Sequence, residues 1–221
     1  MIRGALLIAL AALLWATTGI VAKFLFSGSD LQAVTLGFLR LAVALPFFFG
    51  LMLKEQRALA RGATSPPKFT RKALVPRVAL GFFQAVYQGS YLLAVDMTGA
   101  GIATLIALCL APVIVAIMAA PLLGEKPGVV TMLALAAAIA GTAMLVISDM
   151  DSAGHLRLGG ILVAVLAALV YAGFTLTSRH TSTGTPVFTT AFICFFTAAL
   201  ILLPVVALRG GFDGLQSRGI S

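Results

Sequence analysis

Residues Gly4–Lys23 read GALLIALAALLWATTGIVAK, and residues Gly160–Arg179 read GILVAVLAALVYAGFTLTSR. Aligned without gaps at an offset of 156, they share seven identities in twenty. The centre of the match is AALLWA (Ala11–Ala16) against AALVYA (Ala167–Ala172), and both segments end in a base, Lys23 and Arg179. Chance likeness between two Ala/Leu-rich helices is the competing explanation; the paired aromatics and terminal bases weigh against it. Each segment is also apolar for the roughly 20 residues that a helix needs to cross a bilayer. This pair bears on two questions together: whether the chain is built for lipid, and whether it repeats itself.

The rest of the chain answers the first question. Apolar runs occupy Gly4–Phe26, Leu31–Leu53, Val78–Val95, Ile102–Leu123, Val129–Ile147, Leu158–Thr177 and Val187–Leu208. The third is short and extends naturally back through Ala73–Pro76. Of the 221 residues, 61% are hydrophobic and 10% charged, against roughly 45–50% and 25% in a soluble domain. That excludes an ordinary water-soluble enzyme or binding module, and it excludes disorder. Lipid forbids unpaired backbone groups, so the runs are helices. The expected class is an all-α membrane protein with seven transmembrane helices. The first run follows Arg3 as a signal peptide would, but it exceeds the usual 7–15 apolar residues and six more spans follow.

Charge sets the orientation. Lys54, Arg57, Arg61, Lys68, Arg71, Lys72 and Arg77 face only Glu55 within 54–77, which reads as one basic loop between spans 2 and 3. The positive-inside rule puts that loop and the N-terminus in the cytoplasm, and seven crossings put the C-terminus outside the cell (inner) membrane. The net charge of +8 is thus a topology signal, with a lipid-headgroup site as the lesser reading, and no nucleic acid is expected.

Five spans separate the starts of the two matched segments, so the second copy inverts. Inverted repeats are an architecture of secondary transporters, with substrate near the midplane between the halves. Three further stretches fit together with this: LLWATTGIVAK (Leu13–Lys23), FLRLAVAL (Phe38–Leu45), and the run from Leu108–Pro112 to Leu123-Gly124-Glu125-Lys126. In this order and spacing the chain resembles the drug/metabolite transporter superfamily, in its EamA-like branch. The resemblance implies ten helices in two inverted five-helix repeats. Residues 1–147 would be the first repeat and 158–208 the first two helices of the second. Residues 209–221 would be a polar tail, with the chain truncated after the seventh of ten helices. It also implies movement of small metabolites or drugs, outward, by alternating access. The other reading is a truncated, non-transporting half-molecule that acts only in membrane assembly or structure.

Several residues are candidates for contact with a substrate. Arg40 lies mid-span, where an Arg costs roughly 2.5–3.5 kcal/mol on insertion scales. It either faces a wet cavity and holds an anion, or it snorkels or bonds helix carbonyls. Gln84, Tyr87, Gln88 and Tyr91 share one face of span 3 by their i, i+3, i+4, i+7 spacing, as cavity lining or as interhelical glue. Trp15 and its repeat mate Tyr171, with Thr18 and Thr175 beside them, line the cavity or simply pack the core. Pro112 interrupts span 4 and frees the Leu108 carbonyl, as a hinge or a plain kink; Pro46 and Pro204 sit similarly in spans 2 and 7. Lys23 and Arg179 end at opposite faces, where terminal bases usually snorkel.

Other chemistry is poorly supported. Cys109 and Cys194 lie inside spans as packing residues and form neither a disulfide framework nor a metal site. His155 and His180 fall in connections on opposite sides. No HExxH, GxSxG, Walker or CxxC pattern occurs, so no enzyme activity, metal or cofactor is expected. Ala137 and Gly141 have small-xxx-small spacing, read by default as packing within the chain, with a homo-oligomer as the alternative. The expected partners are a small-molecule substrate, the lipid bilayer, and a second copy or a complementing half-molecule.

Overall fold

The computed structural model describes residues 2–28, 32–62, 71–124, 128–150, 154–181 and 185–209. They form seven helices: α1 (Ile2–Gly28), α2 (Ala33–Gly62), α3 (Arg71–Thr98), α4 (Ala100–Leu123), α5 (Val129–Met150), α6 (Gly154–Thr181) and α7 (Val187–Leu208). No strand occurs among the described residues. Each helix overlies one of the seven apolar runs. Five of them, α2, α3, α4, α6 and α7, are long and apolar enough to cross a membrane; α1 and α5 carry shorter apolar stretches among the described residues. Large apolar side chains such as Val43, Phe47, Leu162, Leu169, Val187 and Leu208 are exposed. A soluble monomer rarely exposes so much contiguous apolar surface; in lipid it is the solvated surface.

The basic segment differs from the expected loop. α2 continues to Gly62 and α3 begins at Arg71, so Lys54, Arg57, Arg61, Arg71 and Arg77 are helical. The physical reason lies in the sequence KEQRALAR (Lys54–Arg61), a run of strong helix formers. Lys68 lies outside the described residues. Arg77 is buried, and its Nε has no hydrogen-bond partner among the described residues. The end of the bundle where α2 finishes and α3 starts is called the basic end below.

α3 is the axis of the bundle. It packs against α6 and α7, and also meets α1, α2 and α4. It turns into α4 through Gly99, whose φ of 88° suits glycine at a helix end. The Gly99 N–H donates to the Val95 carbonyl at 2.8 Å. α6 turns an alanine face inward: Ala164, Ala167, Ala168 and Ala172 are fully buried. Lipid tails are as apolar as leucine, so helices gain by close backbone approach rather than by hiding apolar surface. Gly160 lets the start of α6 sit on Met97 and Thr98 at the end of α3. Gly81 does the same where α3 crosses α7: a Cβ there would lie 2.8 Å from the Cys194 carbonyl.

α2 and α7 run antiparallel and are tied at both ends. At the end away from the basic one, Gln32 Nε2 donates to the Arg209 carbonyl at 3.0 Å. At the basic end, Glu55 and Gln56 hold Thr189. Between them Phe48 meets Phe195 edge-on, ring centroids 4.8 Å apart.

Two further sequence features take their place in the fold. α4 runs unbroken past Pro112, which is exposed; Pro46 and Pro204 likewise lie within continuous helices. A single lost hydrogen bond does not interrupt a helix whose neighbouring turns stay paired. Ala137 and Gly141 are exposed, and a Cβ on Gly141 would meet nothing within 4 Å. Their face therefore makes no close crossing within the described chain, because α5 packs chiefly on α4.

These contacts set a stability contrast. Gly81→Ala drives a methyl into the α7 backbone and should cost about 1–3 kcal/mol by overpacking. Gly141→Ala enters open space and should be neutral or gain up to about 1 kcal/mol of helix propensity. Thermal melts of the purified variants in detergent check both.

Candidate functional site

The polar stripe of α3 faces inward. Tyr87, Gln88 and Tyr91 are buried at 7%, 6% and 4% exposure, and Gln84, one turn toward the basic end, is half-buried. α3 can carry these groups through hydrocarbon only because other helices surround them. Gly37 of α2 closes on one side, so that a Cβ there would lie 3.6 Å from Gln88 Cβ. Arg40, one turn further along α2, is half-buried and points at this stripe. Its Nη1 donates to Gln88 Oε1 at 3.5 Å, long beside the 2.7–3.2 Å usual for N–H···O. A guanidinium has five N–H donors. No Asp or Glu is paired with Arg40 among the described residues.

Aromatic rings make the opposite wall. Tyr87 stacks on Tyr91 with centroids 5.6 Å apart and planes 15° apart. Tyr171 of α6 tilts against Tyr87 at 5.2 Å and stacks on Phe174 at 6.3 Å. The Tyr91 hydroxyl is within 2.8 Å of Thr104 Oγ1 on α4. Thr175 is turned to its own helix and donates to the Tyr171 carbonyl at 2.9 Å. A guanidinium and an amide on one side and a cluster of tyrosine rings on the other give an amphipathic environment: hydrogen-bond donors for an anionic or polar group and flat apolar surface for the remainder.

Phe174 also borders a cavity of about 280 Å³ between α3, α6 and α7, lined further by Leu80, Ser178, Thr190, Cys194 and Phe195. The cavity lies on the basic-end side of the tyrosine cluster, and the Tyr171–Phe174 stack links the two.

The structure thus brings together five of the seven expected contact residues, Arg40, Tyr87, Gln88, Tyr91 and Tyr171, with Gln84 beside them. Trp15, Thr18 and Lys23 lie on α1, and their side chains are outside the described set, as are those of His155 and His180 and all of Glu125. Arg179 is exposed at the basic end of α6. Cys109 and Cys194 are free thiols. Sequence reasoning missed Thr104, Phe174 and the Glu55–Thr189 contact. Thr104 is the one hydroxyl inside the fourth apolar run, which was a usable signal. Nothing in the sequence paired Glu55 with residues 133 and 134 positions away.

The Tyr91–Thr104 contact is testable by a double-mutant cycle. Tyr91→Phe and Thr104→Val should each lower stability, and together show a coupling of about 1 kcal/mol, read from melts of the four proteins.

Comparison with known proteins fits these observations. The EamA-like transporter family matches residues 2–147, about two thirds of the chain. A Bacillus subtilis (strain 168) protein described as the uncharacterized transporter YwfM is 30% identical over 122 residues, which are 55% of this chain and 40% of that protein. The match therefore spans less than half of the relative's length. No solved structure matches. With an all-helical body whose apolar surface faces lipid and a family match over most of its length, the chain belongs to the EamA-like transporter family.

Proposed function

We propose that this chain moves small metabolites or drugs across the cell membrane, outward, by alternating access, and that substrate binds at Arg40 and the tyrosine cluster. The observation that carries this reading is the Arg40 guanidinium set beside Gln88, on the same stripe as the stacked Tyr87 and Tyr91 rings, inside a bundle whose buried side chains are mostly apolar. A cation is costly at mid-span, and a site that must hold an anionic or polar group repays that cost. Gln84 and Gln88 supply amide groups, and Tyr171 supplies the ring on the α6 side. Trp15 is proposed to join from α1, and Pro112 to act as the hinge in α4.

The inverted repeat belongs to the same proposal, with 1–147 as the first copy and 158–208 the start of the second. Its support is directional. Ala22, in the C-terminal part of α1, belongs to the buried cluster that holds Val95 of α3, and Gly160, in the N-terminal part of α6, lies on Met97 and Thr98 at the end of α3. Both placements support the reading that α1 and α6 run in opposite senses beside α3. The proposed orientation places the basic end in the cytoplasm, following the positive-inside rule.

A second reading is motivated by the match covering 40% of its relative: the chain is an assembly partner that completes a pathway with a second copy or a complementing half-molecule, and does not transport alone. Flux by the purified chain in vesicles separates the two. If the first reading holds, Arg40→Gln leaves insertion and melting intact and weakens substrate binding by roughly ten- to a hundredfold, the scale of a lost hydrogen bond to a charged group. Unchanged affinity in that variant rejects the role of Arg40.

A further inference from the structure

α7 begins at Val187 after Pro186, and no side chain of its own caps it. The first N–H groups of a helix have no partner within it and carry the positive end of its dipole. Here the partner comes from another helix. Glu55, near the C-terminal end of α2, accepts from the Phe188 N–H through Oε1 at 3.1 Å and from the Thr189 N–H through Oε2 at 2.8 Å. Thr189 Oγ1 donates to the same Oε2 at 2.9 Å and accepts from Gln56 Nε2 at 2.8 Å. Thr189 is fully buried. Glu55 is the sole acidic residue of the segment 54–77, and it is spent on α7 although Lys54 and Arg57 adjoin it in the sequence.

The opposite ends of α2 and α7 are joined differently. Among the described residues, their tie there is the neutral bond from Gln32 to the Arg209 carbonyl. Hydrogen bonds to an ionised group are roughly twice as strong as neutral ones. The two ends of this helix pair are therefore fastened unequally, with the stronger tie at the basic end.

What the stronger tie holds is one wall of the 280 Å³ cavity. Thr185, Val187, Thr190 and Ala191, from the start of α7 and the residues just before it, line that cavity, and Cys194 lies one turn further in. On the far side Phe174 connects the cavity to Tyr171 and so to the tyrosine cluster. Displacing the first turn of α7 would widen the cavity at the basic end, on the side from which Phe174 leads to the tyrosine cluster.

We propose that Glu55 latches the basic end of the bundle shut: through Phe188 and Thr189 it holds the first turn of α7 in place as a wall of the cavity, and its release admits solutes from that end to the tyrosine cluster. Glu55 is a positioning residue in this account and does not touch the substrate. The latch takes its place in a transport cycle from the alternating-access reading above, but its opening is measurable without any substrate.

The two native thiols report on it. Cys194 is 3% exposed and sits behind the latch, whereas Cys109 lies half-buried on α4. The full-length chain in detergent is treated with a small water-soluble methanethiosulfonate, and the rate of modification at each cysteine is followed by mass spectrometry. Glu55→Ala should speed modification of Cys194 by roughly tenfold or more, the scale set by losing hydrogen bonds to a charged group, and leave Cys109 unchanged. Glu55→Gln, which keeps one acceptor oxygen, should fall between. Gln32→Ala, at the far end, should leave Cys194 as slow as in the parent. If Glu55→Ala does not fold, Thr189→Val removes one arm of the same contact and should raise the Cys194 rate in the same direction. An unchanged Cys194 rate, or equal acceleration at both cysteines, overturns the latch, the second outcome being what a merely structural cap would give. Vesicle flux separates this from the transport reading: a latch that opens in a chain without flux keeps this inference and removes that one, and flux with an unmoved Cys194 rate does the reverse.

Discussion

Everything in this bundle follows from one requirement on α3: a helix that carries two amides and two phenols through the hydrocarbon layer has to be enclosed by protein. No water is available there to satisfy Gln84, Tyr87, Gln88 or Tyr91, and lipid offers no hydrogen bond. The enclosure is built from small residues. Gly37 brings α2 close, Gly81 brings α7 close, and Gly160 with the alanine face of α6 closes the third side. At these crossings the glycines face Leu92 and Gln88, Thr197 and Cys194, and Met97 and Thr98. Packing and candidate site are two aspects of one arrangement. The family match and the site geometry lead to the same class of activity by separate routes, one through sequence likeness and the other through an amphipathic cluster enclosed in a lipid-facing bundle.

The α2–α7 pair adds a mechanical element. The two helices lie antiparallel, with edge-on phenylalanines between them and polar ties at their ends. A rigid pair fastened unequally at its two ends has a preferred place to part. The proposed alternating-access cycle calls for such a property, since access from one side must close before the other opens.

Much of this was legible in the sequence because lipid makes the code simple. Length and apolarity locate each helix, and the seven runs reappear as seven helices. The stripe on α3 was readable from the i, i+3, i+4, i+7 spacing alone, and Arg40 from its depth in a span. What escaped the reading depended on contacts between distant parts of the chain. Glu55 looked like a lone acid in a basic loop; its partner is the backbone of α7, and backbone N–H groups leave no mark in a sequence. The loop itself was misjudged because charge suggested solvent, whereas KEQRALAR has the propensity to extend a helix beyond the membrane surface. Pro112 was read as a hinge or a plain kink; α4 passes it without interruption, since one missing N–H is a small loss in a helix paired above and below. Gly141 was read from its spacing with Ala137 as packing within the chain, with a homo-oligomer as the alternative; it is exposed among the described residues, and spacing alone cannot tell which helix would be its partner.

The proposed arrangement has α1 and α6 crossing the membrane in opposite senses with a pocket shared between them. Sided labelling of single cysteines placed at Lys23 and at Arg179, in a background without Cys109 and Cys194, tests it with a reagent that does not cross membranes. Intact cells should label position 23, and position 179 should react only after the membrane is opened. Labelling of both positions from the same side would contradict it.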